Sequence, residues 1–206
     1  MNKKLTKHIV ITALVAICLI SASPLFLYGY YYVKWDDIYN KSELIEIAEE
    51  INSTNELPSR FYDLYEKVFP EYKSRGLITN IYRSLFSLFI GPRKTEVLFS
   101  KAPFSLKTAV YMDISLMPNK RVLSSDLCIA IALEDLSSNK KCFDYFHKLI
   151  GIDDMARKLF QKPMKQLSDN EMIELIIYSQ WPGFYDRRPE LFQEEIERIN
   201  NKIAGA

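Results

Sequence analysis

The chain has 206 residues, 48% of them hydrophobic and 13% aromatic, with 27 basic and 26 acidic residues and a formal net charge of +1. A near-neutral chain without a basic tract carries no nucleic-acid footprint, so no nucleic-acid partner is expected. Three cysteines and two histidines show no spacing of a metal-site motif.

The first predicted element is a membrane span. Residues Ile9 to Val33 contain no charge, and at about 1.5 Å per residue a helix of that length crosses a hydrocarbon core of about 30 Å. Lys3, Lys4 and Lys7 precede it, whereas Lys34 is followed by Asp36 and Asp37. That asymmetry keeps the amino terminus in the cytoplasm and exports the body of the chain. Tyr28, Tyr30, Tyr31, Tyr32 and Trp35 gather at the outer end as an interfacial aromatic belt. The small-residue cluster Ser21, Ala22, Ser23 would suit a cleaved signal peptide, but Pro24 and the apolar run onward to Val33 argue for an uncleaved anchor. Cys18 follows Ile17, where a lipoprotein signal wants a small residue. The expected location is the cytoplasmic membrane, crossed once, with the main domain outside and the lipid bilayer as a partner.

Three of the basic residues and none of the acidic ones precede residue 34, so the exported remainder carries a net charge of minus two. Its length suits one domain of ordinary size, large enough to fold without staples. Leu44, Ile47, Ala48 and Ile51 form a helical stripe after a candidate cap at Ser42, and Phe61, Leu64, Tyr65 and Val68 form another after Ser59. Asn52 to Pro58 reads as the polar linker between them. Ile78 to Ile90 is apolar on most sides, too short to span, and stopped by Gly91-Pro92. Residues 92 to 120 give mixed signals and read as irregular. Cys128 and Cys142 each sit on an apolar stripe, where a buried thiol is expected.

Toward the carboxy terminus the signals sharpen. Ser168 and Glu171 make a capping box for a helix carrying Met172, Leu175, Ile176 and Ser179 on one face, and Pro182 ends it. A last helix from about Pro189 carries Ile196, Ile199 and Ile203 on one side. Leu175 and Phe160 are expected in the core.

This closing segment resembles that of the peptidoglycan glycosyltransferase (transglycosylase) family, glycosyltransferase family 51. The family's late helix Gly-Ile-x-x-Ala-Ala-x-x-Tyr-Phe-Gly-Lys looks like Gly151, Ile152, Met155, Ala156, Leu159, Phe160, Gln161 and Lys162 here. Its Leu-Thr-x-x-Glu helix start is similar to Leu167, Ser168 and Glu171. Its Pro-x-x-Tyr-x-Pro turn is similar to Pro182 and Tyr185, with Arg187 in place of the last proline. Further upstream, Ala130 to Lys148 can be laid on the family helix that ends Ser-Lys-x-x-Ile-Leu-x-x-Tyr-Leu-Asn. Glu134 then matches an acid, Ser138 the serine, Cys142 and Phe143 the Ile-Leu pair, and Phe146 the tyrosine. Counting back eight from Glu134 places Asp126 at the family's second glutamate, with Lys120 and Arg121 one step off its Arg-Lys pair. About seven residues of a family loop are missing between Lys148 and Gly151.

The family's general base, the first acid of Glu-Asp-x-x-Phe-x-x-His-x-Gly, has no counterpart. The Glu134-Asp135 pair is followed by Ser138 and Lys141 where Phe and His belong. Neither His8 nor His147 has a Glu-Asp pair before it, and Glu66, Phe69 and Gly76 echo the motif with a short spacing and no histidine. Strand signals are few, so a mainly α fold is expected: a transmembrane helix at 9–33 behind a cytoplasmic tail at 1–8, a membrane-proximal helical region at 34–119, and a region at 120–206 that the resemblance implies is transglycosylase-like, of shortened lysozyme-like type. The implied function is cell-wall glycan assembly by a catalytically impaired protein that binds lipid-linked glycan or a synthase. Two alternatives stay open. One is a divergent active enzyme, in which Asp126 replaces the second glutamate, Lys120 or Arg121 offsets charge on the pyrophosphate leaving group, and a divalent metal assists. The other is an envelope scaffold with no glycan role. The apolar segment Ile78 to Ile90 is then similar to the part of the family domain that dips into the membrane.

Overall fold

The computed structural model describes residues 12, 22–23, 25–26, 28–30, 32–33, 41–70, 72, 76–78, 102–116 and 125–205. Among them the regular structure is helical, and no strand occurs. No helix among the described residues is long and apolar enough to cross a membrane. Most of the expected span lies outside them, as do residues 79–90 of the apolar segment. The described residues between 12 and 33 are all helical.

The first two helices of the body are α1 (Lys41–Ser53) and α2 (Ser59–Val68). Leu44, Ala48 and Ile51 of α1 and Phe61, Leu64, Tyr65 and Val68 of α2 are buried, so both sequence stripes are core faces. The caps differ from expectation. Ser42 lies inside α1, and Ser59 is the first residue of α2 after Pro58, whose fixed φ ends the extended linker.

Part of the stretch expected to be irregular is instead a helix, α3 (Phe104–Leu116). Its apolar residues are spread all round, so it shows no helical period. Over residues 104–112 it is mostly buried, with even Ser105, Lys107 and Thr108 enclosed beside Phe104, Ala109 and Met112. It packs against α4 (Ser125–Leu136) and α5 (Asn139–Leu149). The stretch laid on one family helix is thus two helices, separated where the Ser138 hydroxyl accepts from the Lys141 N–H and caps α5.

The central helix is α5. It touches α1, α3 and α6 (Ile152–Phe160), and Cys142 to His147 are buried without interruption. Gly151 turns the chain into α6 at φ 71°, a left-handed conformation that glycine adopts without strain. A short 3₁₀ turn (Met164–Gln166) leads to α7 (Asp169–Tyr178), which packs on α2, α6 and α9 (Pro189–Ala204). A single turn, α8 (Pro182–Tyr185), joins α7 to α9. One core cluster runs from Leu44 through Phe143 to Ile199. Leu175 is fully buried within it, and Phe160 is half-buried against it.

The capping box forms as the sequence indicates. The Ser168 hydroxyl accepts from the Glu171 N–H at 3.3 Å, and Glu171 accepts from the Ser168 N–H at 2.7 Å. Ser168→Ala should lower stability by about 1 kcal/mol, read from a shifted denaturation midpoint at unchanged slope.

Candidate functional site

The residues singled out by the sequence fall in two places. Asp126 sits half-buried in the first turn of α4, where the helix dipole favours its charge. Lys120 and Arg121 lie outside the described residues. Glu134 is two turns along the same helix, about 12 Å further by helical rise. Its carboxylate accepts from the Ser105 hydroxyl at 3.1 Å and from the Leu77 N–H, so it joins α4 to α3 and to the segment entering at Leu77. Glu134 is an exposed residue whose carboxylate end is partly desolvated, which raises it above the ordinary range against the pull of those two bonds. Among the described residues, no three His, Cys, Asp or Glu side chains are grouped to hold a metal ion.

In the closing segment an ion network joins α6, α7 and the turn after α8. Lys158 Nζ lies 2.9 Å from the Tyr178 hydroxyl and 2.7 Å from Asp186 Oδ2, and that hydroxyl donates to Asp186 Oδ1 at 2.6 Å. Asp186, with help from Tyr178, pushes the lysine up to about 12. Arg187 folds back, its Nε donating to the Gly183 carbonyl at 2.8 Å. The turn is thus held by side chains from α6, α7 and the two residues that follow α8. Glu171 is engaged too, held down at about 2 by Lys162 first and then by Ser168.

A polar cleft lies elsewhere, at residues that no sequence motif marks. Residues 53–58 between α1 and α2 face the junction of α5 and α6 across a cleft of about 490 Å³. A second hollow of about 320 Å³, walled by Pro58, Met164 and Met172, shares Glu56 and Lys165 with it. At the cleft Asp144 is 1% exposed. Its Oδ1 accepts from the Tyr62 hydroxyl and, at 3.4 Å, from the Leu57 N–H. Its Oδ2 is buried and makes no hydrogen bond. Desolvation raises the Asp144 carboxyl above its usual range, opposed by those bonds and by Lys140. Burial and the Asp144 charge together push the Tyr62 hydroxyl up. A desolvated acid in a cleft is the arrangement in which functional carboxylates occur.

One turn along α5, His147 is fully buried in a box of rings. Phe61, Tyr65, Phe104, Phe143 and Phe146 all lie within 5.6 Å of its ring centre. Its Nδ1 bonds the Phe143 carbonyl at 2.8 Å. Burial brings this imidazole down to about 3, so it is neutral in the folded chain near neutral pH. The unfolded chain takes up that proton first, near pH 6.5. Stability from this residue is therefore complete above about pH 6.5 and declines as pH falls toward 3, by up to about 1.4 kcal/mol per pH unit. In denaturation series from pH 7 to 4, His147→Gln should show a shallower decline than the natural chain. Equal slopes would place the titration elsewhere.

Cys128 and Cys142 are buried free thiols, pushed up by desolvation to about 11 and about 12. Neither is a nucleophile at neutral pH.

No protein-family model, no curated protein and no solved structure matches the chain.

Proposed function

We propose that this chain is a membrane-anchored relative of the peptidoglycan glycosyltransferases that has lost polymerising chemistry and serves cell-wall glycan assembly by binding lipid-linked glycan. The observation that carries the reading is the use made of Glu134, the acid of the chain's one Glu-Asp pair. A general base must be placed to take a proton from substrate. Glu134 instead holds the Leu77 N–H and the Ser105 hydroxyl, a tie between three segments. His147, the histidine nearest in sequence, is sealed among rings. Asp126, left as the candidate second acid, stands about 12 Å of helix away from Glu134.

Retention of the binding role is supported by the closing segment. The capping box, the Lys162–Glu171 ion pair and the Lys158–Tyr178–Asp186 network keep α6 to α9 in one packed unit. The anchor is supported by exposed apolar side chains on helical residues before the body: Leu25, Phe26, Tyr30, Tyr32 and Val33 are 48–74% exposed. In water such a stripe is a liability, and in a bilayer it is satisfied. Lys120 and Arg121 are proposed to meet the pyrophosphate of the lipid carrier.

Liposomes carrying the full-length chain should retain labelled lipid-linked disaccharide pyrophosphate on a protein pull-down, with Lys120→Ala and Arg121→Ala together weakening retention several-fold. Retention no better than that of an unrelated single-span protein would count against the binding role. A reporter joined after Ala206 should work only outside the cytoplasm.

A further inference from the structure

The cleft beside α5 carries a charge imbalance that its own residues leave open. Lys140 pairs with Glu56, and Lys148 pairs with Glu50 at 3.5 Å. Those pairs neutralise two of the basic and two of the acidic groups around the cleft. Asp144, Asp153 and Asp154 then remain on its wall, faced by Lys165 and by Lys141, whose ammonium is engaged by the Thr54 carbonyl at 2.9 Å, so the acids still outnumber the cations. Asp144 is 1% exposed, and its Oδ2 makes no hydrogen bond although Oδ1 makes two. A buried carboxylate oxygen without a donor is costly, and a charged donor is the partner that relieves it best.

We propose that this cleft binds a ligand through a primary ammonium group seated on Asp144 Oδ2, with Asp153 and Asp154 attracting it at the rim. An ammonium fits better than a metal ion, because among the described residues no three acid, histidine or cysteine side chains stand close enough together to hold one. It also fits better than a planar guanidinium. One free oxygen cannot make the bidentate fork that arginine prefers, whereas a lysine-type amine bonds as a point charge. The walls suit the stem of such a group: Leu57, Pro58, Ile152 and Met164 supply apolar surface beside the charge. Asp144 carries no part of the family resemblance, so amine binding and glycan binding can fail independently.

The test uses the full-length chain in detergent micelles with Nα-acetyl-lysine methylamide, its Nε-acetylated form and putrescine as probes. Saturable binding of the lysine amide, with amide shifts at Gly151 and Thr54 and none from the Nε-acetylated form, is the expected result. Binding of putrescine alone would assign the site to free polyamines, and binding of the lysine amide would assign it to a peptide-borne amine. Asp144→Asn should weaken the bound amine at least tenfold. Because that variant also touches the Tyr62 and Leu57 ties, Asp153→Asn with Asp154→Asn serves as a second variant. It leaves the buried carboxylate in place and should weaken binding several-fold at low salt and less at high salt. Equal affinity for the acetylated probe, unchanged affinity in both variants, or no binding at millimolar concentrations would overturn the proposal.

Discussion

Phe143→Ala should cost about 3 to 5 kcal/mol, the largest single loss expected of any truncation in this chain. Phe143 is 2% exposed at the centre of α5, and its ring meets Phe61, Tyr62, Tyr65, Tyr72, Phe104 and His147 at centroid distances of 4.3–6.0 Å. Apart from His147, those partners come from α2, α3 and the segment after α2, so the void would open where several parts of the fold meet. Surrounding helices can collapse only partly around such a void, and lost transfer energy and cavity cost add. Several edge-on ring pairs are lost as well. Chemical denaturation monitored by far-ultraviolet dichroism reads the effect. A loss below about 1 kcal/mol would mean that the ring cluster does not organise the core.

Glycan polymerisation by this chain should fall about 10² to 10⁴ below that of an active family member assayed alongside it, the usual consequence of a missing positioned acid or base. On the proposed reading Asp126 would stand one methylene short of the family's second glutamate, and misplacing a catalytic group by about 1 Å can cost about 10² more. Neither Glu134, which bonds Ser105 and Leu77, nor the buried neutral His147 compensates.

Legibility in the sequence follows the range of the interaction. The capping box of α7 is a local pattern four residues long, and it is present atom for atom. The stripes of α1, α2 and α9 are legible because one face of each meets the core while the other meets solvent. Helix α3 is opaque for the opposite reason: it is enclosed, so its polar and apolar residues follow no period. Asp144 is hidden from sequence reading because its partners Leu57 and Tyr62 are 87 and 82 positions away. A signal does exist. An aspartate inside Cys142, Phe143, Tyr145, Phe146 and His147 interrupts an otherwise apolar run, and a buried acid there needs a donor or a ligand. Asp126 is marked only by its spacing to Glu134, and the structure puts both on α4.

The full-length chain, purified in detergent and supplied with labelled lipid-linked disaccharide and divalent metal, measures the central claim in a single sample. A glycan-binding protein without polymerising chemistry leaves label bound to protein and makes no glycan strand longer than the starting disaccharide, in the natural chain and in Asp126→Asn alike. Glycan strands from the natural chain that vanish in a folded Asp126→Asn would contradict it and make Asp126 a catalytic residue.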